Sequence, residues 1–156
     1  MLLAMDDNDF AELIRGVAPR GLQLPDSPLA PTEILEMLRA LAGSIAVDFA
    51  PAAWMIVQEA EIVGLCSVVS PPADQQLKIG YGVAPTRQGR GATTGAIAEL
   101  LVWAKSDNRI AAITAETGVD NLASQIVLSR NGFQNVGHRT DAEDGDVICW
   151  LASTNA

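Results

Sequence analysis

The sequence has few of the residues from which metal sites and disulfide frameworks are built. It contains two cysteines and one histidine in 156 residues. Cys66 and Cys149 are far apart, and each lies in an apolar run, which predicts two buried free thiols. These two residues and the lone histidine cannot form a Cys/His ligand cluster. The sequence therefore predicts no metal centre.

Positive charge and long hydrophobic runs are also scarce. Ten basic residues stand against 19 acidic ones, which gives a net charge of −9. Nucleic acids and anionic membranes require a basic surface, so neither is a predicted partner. No apolar run reaches the about 18 residues of a membrane-spanning helix, and residues 1–5 lack the positive flank of a secretion signal. These features predict a cytoplasmic protein whose acidity would suit an amine substrate.

Apolar residues are abundant and make up 49% of the chain. A chain of this length can bury one core but not comfortably two, so we expect a single domain over residues 1–156. Its hydrophobic periodicity predicts the order β-α-α-β-β-β-α-β-α-β-β. That order is typical of an α/β sandwich built on a mixed, mostly antiparallel sheet.

Two predicted helices carry specific expectations. A helix is expected to begin near Thr32 after a proline-rich loop at residues 16–31, and Gly43 is expected to end it. A later helix is expected to begin after Asn121, with Leu122, Ile126 and Val127 as its apolar side. The aromatic side chains Trp54, Trp103 and Trp150 are predicted to lie in the core.

The most informative stretch covers residues 78–96 and reads KIGYGVAPTRQGRGATTGA. A strand pattern over residues 79–84 is followed by a loop at residues 88–93 and then by a helix. A glycine-containing loop at a helix N-terminus brings backbone amides and the positive end of the helix dipole to an anion. Arg87 and Arg90 add positive charge. The stretch predicts a phosphate or pyrophosphate cradle, with a plain tight turn as the alternative.

Two familiar phosphate-binding loops are absent. The sequence has no Gly-x-x-x-x-Gly-Lys-Ser/Thr, and the pair Gly89 and Gly91 is followed by Ala-Thr-Thr, which does not complete Gly-x-Gly-x-x-Gly. A nucleotide-dependent switch would also need a loop lysine and magnesium ligands that the sequence does not offer. A nucleotide-binding switch domain is therefore disfavoured.

The loop resembles the cofactor motif of the GCN5-related N-acetyltransferases, Gln/Arg-x-x-Gly-x-Gly/Ala. Gln88, Gly91 and Thr93 stand at its positions, with Thr93 departing from the pattern. Residues 79–85 resemble the branch that acetylates the N-termini of ribosomal proteins. Residues 121–133 resemble the family's second motif, an Asn near a helix start followed by Gly-Phe. The resemblance covers nearly the whole chain and is strongest over residues 77–137.

The resemblance implies that acetyl-CoA binds where strand 79–84 splays from strand 110–117 at the centre of the sheet. The pantetheine arm would pair with backbone at residues 81–83, and the pyrophosphate would contact amides at residues 89–94. A backbone N–H near Val83 would polarise the thioester carbonyl. The implied cofactor-binding residues are Tyr81, Gly82, Val83, Gln88, Gly89, Arg90, Gly91, Ala92, Thr93, Thr94 and Asn121.

The resemblance also implies direct attack of a neutral amine on the thioester, and two candidate catalytic residues. Glu116 would accept the amine proton, with an arginine-paired strand glutamate as the alternative. Ser124 would donate a proton to the leaving thiolate, with an ordinary helix-start hydroxyl as the alternative. Leu128 stands where many members carry a tyrosine donor, and Lys78 stands where related sequences often carry an acid. A non-catalytic acyl-CoA-binding or regulatory domain therefore remains the second hypothesis.

The amine acceptor is either a protein N-terminus or a small molecule. The family resemblance places the loop at residues 16–31 near the acceptor, and we expect this loop and the acidic turn at residues 140–147 to set its identity, although their residues do not indicate which amine it is. His138 is expected at the surface or the rim of the site. The hairpin at residues 133–151 offers an edge that could pair two subunits into a homodimer.

Overall fold

The computed structural model describes residues 1–154, and a seven-stranded sheet runs through it. The order of strands and helices is the predicted one, so the expected α/β fold is confirmed. The strands are β1 (Leu2–Ala4), β2 (Ala53–Gln58), β3 (Glu61–Val68), β4 (Gln76–Val83), β5 (Ala112–Gly118), β6 (Gln134–Asp141) and β7 (Gly145–Ser153). The helices are α1 (Asp7–Ile14), α2 (Thr32–Ala46), α3 (Ala92–Lys105) and α4 (Leu122–Arg130), with 3₁₀ turns at Pro19–Gly21 and Pro85–Arg87.

The sheet has the order β1-β2-β3-β4-β5-β7-β6. Every neighbouring pair is antiparallel except β4 and β5, which are parallel and are joined through α3. This single parallel pair is the expected result of a helical crossover, because a short turn cannot join parallel strands. It lies at the centre of the sheet.

Helices cover both faces of the sheet and form two main cores. On one face, α3 and α4 pack against strand residues that include Trp54, Ile79 and Trp150. On the other face, α1, part of α2 and the 16–31 loop pack against Met55, Val57, Ile62 and Leu65. Trp54 and Trp150 are buried and Trp103 packs against the first core, as predicted.

The predicted end of α2 at Gly43 is wrong, because the helix continues to Ala46. An interior glycine costs a helix about 1 kcal/mol relative to alanine. The last turn compensates by placing Ile45, which is only 3% exposed, in the core beside Phe49. Tertiary packing therefore outweighs the local stop signal.

The prediction of two buried free thiols is confirmed for Cys66 and only in part for Cys149. Cys66 and Cys149 are both free. Cys66 is buried, and this burial raises the pKa of its thiol to about 12. Cys149 is only half-buried, because β6 and β7 form the less covered end of the sheet.

The parallel pair separates part-way along its length. Its ladder comprises four residue pairs, from Gln76–Ala112 to Ile79–Ala115. Beyond Ile79, β4 remains paired with β3 as far as Val83 but no longer pairs with β5. A gap therefore opens between two adjacent strands in the middle of the sheet, where the splay was predicted.

Backbone alternation shows which groups face this gap. The carbonyl of Lys78 accepts from the N–H of Val69 at 2.9 Å, and the N–H of Ala84 donates to the carbonyl of Val63 at 2.8 Å. Even-numbered residues of β4 therefore bond to β3, and odd-numbered residues turn their backbone groups the other way. The backbone N–H groups of Tyr81 and Val83 consequently face the gap.

The helices are all short, and α2 is 15 residues long. Among residues 1–154, no helix has the length and apolar character that spanning a bilayer requires.

Candidate functional site

The gap between β4 and β5 opens into a cavity of about 490 Å³. Every residue of the predicted cofactor-binding set lines it, from the end of β4 through the glycine loop to the start of α4. The structure therefore brings together two sequence blocks, residues 81–94 and residue 121, that are separated by a helix and a strand. Their role in binding remains a prediction.

One end of the cavity is formed by the N-terminus of α3. Gly89 and Gly91 adopt φ angles of +77° and +75°, a left-handed conformation that other residues rarely adopt. The side chains of Asp6 and Asn121 cap α1 and α4, whereas within residues 1–154 no side chain caps α3. The first amides of α3 are therefore available to an anion, which fits a phosphate group.

Three arginines line the cavity, and one of them is engaged in ion pairs with other residues. Arg90 and Arg130 are exposed at its wall. Arg87 forms a short ion pair with Glu61 and contacts Asp26 at 3.0 Å, which anchors the 16–31 loop to the start of β3. The expectation that Arg87 adds free positive charge beside the loop is therefore corrected, since two carboxylates neutralise it.

Helix α4 forms the opposite wall with residues that sequence reasoning misassigned. The expected core residues Leu122 and Ile126 are 65% and 50% exposed, whereas Leu128 is fully buried. The cavity is lined instead by the helical stripe Ala123, Ile126, Val127 and Arg130. These residues recur about one turn apart, so their spacing in the sequence could have indicated that they share one face of the helix. Of the predicted apolar side, Ile126 faces the cavity, Val127 both lines it and packs against the first core, and Leu122 is exposed outside it.

Ser124 lies in the first turn of α4, where its N–H donates to the Asn121 side chain at 3.2 Å. Its hydroxyl is 2.7 Å from the Tyr81 hydroxyl, and both residues line the cavity. Burial raises the pKa of Tyr81, with the Ser124 hydrogen bond acting in the opposite direction. The resemblance implied a cofactor-binding role for Tyr81 but did not predict this contact. Leu128, at the family's usual donor position, is in the core.

Glu116 lies outside this cavity, on the sheet face opposite the Tyr81 side chain. Its carboxylate is held by Arg139 through two hydrogen bonds and by Lys78 at 2.8 Å. The thiol of Cys149 donates to it at 3.7 Å. The hydrogen bonds from Arg139 and the contact with Lys78 outweigh desolvation and lower its pKa to about 2. The arginine-paired alternative is thus the environment that the structure presents.

A second cavity, here called the apolar pocket, lies where the 16–31 loop and α2 cross β3 and β4. It measures about 260 Å³ and shares Tyr81 and Gly82 with the first cavity. The residues that line it are Leu29, Ala30, Ile34, Leu38, Leu65, Ser67, Val69, Gly80, Tyr81 and Gly82. The loop expected to meet the acceptor therefore borders a cavity that adjoins the candidate site.

The acidic turn borders a separate cavity. Asp144 and Asp146 line it together with Asp120 and the start of α4. His138 is exposed on β6, as predicted. In the described part of the chain, no group of three or more His, Cys, Asp or Glu side chains is arranged to hold a metal ion.

Comparison with known families identifies this architecture. The family model described as the acetyltransferase (GNAT) domain matches residues 1–134. The chain belongs to this family. The family resemblance carried by the two sequence motifs is therefore confirmed, and the stretch that resembles the family's cofactor motif is the glycine loop at the N-terminus of α3.

Individual relatives agree with the family assignment. The uncharacterized N-acetyltransferase YjdG of Bacillus subtilis (strain 168) is 32% identical over 83 residues, which cover 51% of this chain and 49% of YjdG, so the match spans about half of that relative. The fold resembles the ribosomal L7/L12 α-N-protein acetyltransferase RimL in complex with coenzyme A, with a TM-score of 0.72, 23% identity and coverage of 97% and 92%. A chimera of the Vibrio cholerae spermidine N-acetyltransferase SpeG also has a TM-score of 0.72, with 17% identity and coverage of 99% and 95%.

Proposed function

We propose that this protein is an acetyl-CoA-dependent N-acetyltransferase that transfers an acetyl group to a primary amine. The observation that supports it is the cavity at the β4–β5 gap. It combines unpaired strand backbone at one end with the uncapped N-terminus of α3 at the other. Family membership supplies the reaction class, and the geometry supplies a site of matching shape and charge.

The residues present fit this cosubstrate. The amides of residues 89–94 would hold the pyrophosphate, and Arg90 and Arg130 would add charge for the phosphates. The backbone of Tyr81 and Val83 would pair with the pantetheine arm as an added strand does. Bound acetyl-CoA supplies an activated acetyl thioester, and the N–H of Val83 is the proposed donor to its carbonyl oxygen.

The proposed proton donor is the Ser124 hydroxyl, oriented by Tyr81. In the transfer, a C–N bond forms, the C–S bond breaks, the nitrogen loses a proton and the sulfur gains one. The 2.7 Å hydroxyl pair lines the cavity and holds a proton that could pass to sulfur. Because burial raises the pKa of Tyr81, its hydroxyl stays protonated over the working pH range.

Glu116 was the predicted acceptor of the amine proton, and its surroundings weaken that proposal. A carboxylate with a pKa of about 2 is a poor base for an amine whose own pKa is about 8–10. We propose that solvent takes the amine proton and that Glu116 acts as an ion-pair anchor. Glu116→Gln separates the two roles, because the loss of a general base would lower kcat by roughly 100-fold or more.

Calorimetric titration with acetyl-CoA, coenzyme A and ATP tests the cosubstrate proposal. We expect micromolar binding of both coenzymes and none of ATP. The test for catalysis is then thiol release with an amine acceptor. Binding without turnover of any amine would favour the non-catalytic acyl-CoA-binding alternative, and absence of binding would refute both.

A further inference from the structure

The apolar pocket adjoins the reacting end of the candidate site. It shares Tyr81 and Gly82 with the cosubstrate cavity, and the proposed carbonyl donor Val83 follows directly in the chain. The rest of its wall comes from the 16–31 loop, α2, β3 with the following Val69, and Gly80 of β4, and none of these residues lines the first cavity. A group held in this pocket would therefore lie beside the proposed position of the thioester rather than beside the pyrophosphate.

The lining of the pocket is uncharged. Six side chains are aliphatic, and the polar side chain of the wall is the hydroxyl of Ser67, since the Tyr81 hydroxyl is bonded to Ser124 on the opposite face of the sheet. Because Gly80 and Gly82 have no side chains, the β4 backbone itself forms one wall of the pocket. A Cβ added at Gly82 would meet nothing within 4 Å, which shows that the space above the strand is open. The volume of about 260 Å³ is below the roughly 300–1,000 Å³ of drug-sized ligand sites, so the pocket suits one compact group.

The charges near the pocket do not favour a polycation. Lys78 precedes Gly80 by two residues on the same strand face, and its ammonium group is paired with Glu116. No carboxylate belongs to the pocket wall among the described residues. The acidic residues Asp120, Asp144 and Asp146 line a different cavity. A second positive charge on the acceptor would therefore lose hydration against apolar surface without a partner.

We infer that the acceptor is a primary amine carried next to a compact, uncharged apolar group, and that the apolar pocket holds this group. The inference rests on the proposed acetyltransferase function and narrows its substrate class. It differs from what the net charge of −9 suggests, because local lining decides recognition at contact. Two sources share this chemistry: a peptide N-terminus whose first side chain is apolar, and a free apolar amine.

An acceptor panel with the full chain and saturating acetyl-CoA tests the inference. It contains a neutral peptide with N-terminal leucine, the matched peptide with N-terminal lysine, isopentylamine and spermidine, with thiol release and product mass as readouts. We expect kcat/KM to be roughly 10- to 100-fold higher for an apolar acceptor than for its charged counterpart, the range that burial of one such side chain supports. The leucine peptide and isopentylamine distinguish the two sources.

A negative charge placed in the pocket should weaken this preference. Ile34 lines the pocket, is 40% exposed and lies in the first turn of α2, where a carboxylate is compatible with the helix dipole. Ile34→Glu should lower kcat/KM for the preferred apolar acceptor by roughly 10-fold or more and leave the Kd of acetyl-CoA unchanged. Met37→Glu is the matched control, because Met37 is 54% exposed on the same helix but does not line the pocket.

Each outcome separates this inference from the proposed function. Absence of acetyl-CoA binding refutes the proposed function itself. Binding of acetyl-CoA with equal or better turnover of spermidine or the lysine peptide overturns the apolar acceptor alone. Equal effects of Ile34→Glu and Met37→Glu on kcat/KM would also overturn it. If no acceptor is turned over, isopentylamine and the leucine peptide are each titrated calorimetrically into the complex of the protein with coenzyme A. Absence of binding by both overturns the inference.

Discussion

The Glu116 carboxylate is held by two cations on an open face of the sheet, which links single-residue electrostatics to stability. Its pKa in the folded protein is about 2, below its usual 4.5. A lowered carboxyl pKa stabilises the folded state fully above the unfolded value, and this contribution is lost as pH falls from about 4.5 towards 2. Because Lys78 and Arg139 are partly exposed, the contribution is about 1–2 kcal/mol at neutral pH.

We therefore expect Glu116→Gln to lower the free energy of unfolding by about 1–2 kcal/mol at neutral pH and by progressively less below about pH 4.5. Urea unfolding of both proteins across this range measures the difference. Glu36→Gln, at an exposed position of α2, is the control and should show no such trend. A difference that stays constant with pH would contradict the ion-pair explanation.

The Ser124–Tyr81 hydroxyl pair gives a second prediction for single residues. If Ser124 donates to the thiolate, Ser124→Ala should lower kcat by roughly 10- to 100-fold, at the low end of proton-transfer catalysis, with little change in acetyl-CoA affinity. Tyr81→Phe should cost less, and the double variant should be no slower than Ser124→Ala, because both act through one hydroxyl. Steady-state rates measure this, and Ser129→Ala on the exposed side of α4 is the control. Wild-type rates for Ser124→Ala would exclude the donor role.

At the scale of elements, the close approach of β3 and β4 depends on Gly64. A Cβ at Gly64 would lie 2.3 Å from the carbonyl oxygen of Gly82 and 3.0 Å from a methyl carbon of Val83. Because backbone must move to relieve this contact, Gly64→Ala should cost about 1–3 kcal/mol. Gly82→Ala, which meets no atom within 4 Å, should be nearly neutral. Equal urea midpoints for the two variants would show that the strands can separate freely.

The sequence predicts elements well where the signal is local. Alternation marked β4, the glycine loop marked the start of α3, and Asn121 marked the start of α4, because each depends on neighbours a few residues away. Prediction from the sequence failed where packing against residues distant in the chain determines the structure. Ile45 extended α2 past Gly43, and the exposed stripe of α4 turned to a cavity that exists only once β4 and β5 separate.

The sequence also could not predict side-chain contacts between residues that are far apart in the chain. Tyr81 and Ser124 are 43 positions apart, so their hydrogen bond depends on how α4 docks beside β4. Glu116 on β5 forms ion pairs with Lys78 on β4 and with Arg139 on β6, although β7 lies between β5 and β6. Residue type predicted that an arginine could pair with this glutamate, but only the strand order identifies which one.

At the scale of the whole molecule, the two halves of the sheet share four residue pairs along β4 and β5. A cosubstrate that pairs with residues 81–83 would extend the contact between the halves. Acetyl-CoA at about 100 times its Kd should therefore stabilise the protein by about 2.7 kcal/mol and raise Tm by about 5–10 °C. Differential scanning calorimetry measures the shift. ATP at equal concentration should leave Tm unchanged, and an equal shift with ATP would indicate a general anion effect.

Among residues 1–154, the β4–β5 ladder does not extend to the N–H groups of Tyr81 and Val83, which gives this protein an unusual distribution of amide hydrogen exchange. In most sheets the central strands are the best protected and exchange begins at the outer edges. Here a central strand carries its own open edge, so these two amides should exchange rapidly with solvent deuterium while their neighbours Gly80 and Gly82, bonded to β3, remain protected. The free protein would thus carry rapidly exchanging backbone amides at the geometric middle of its sheet.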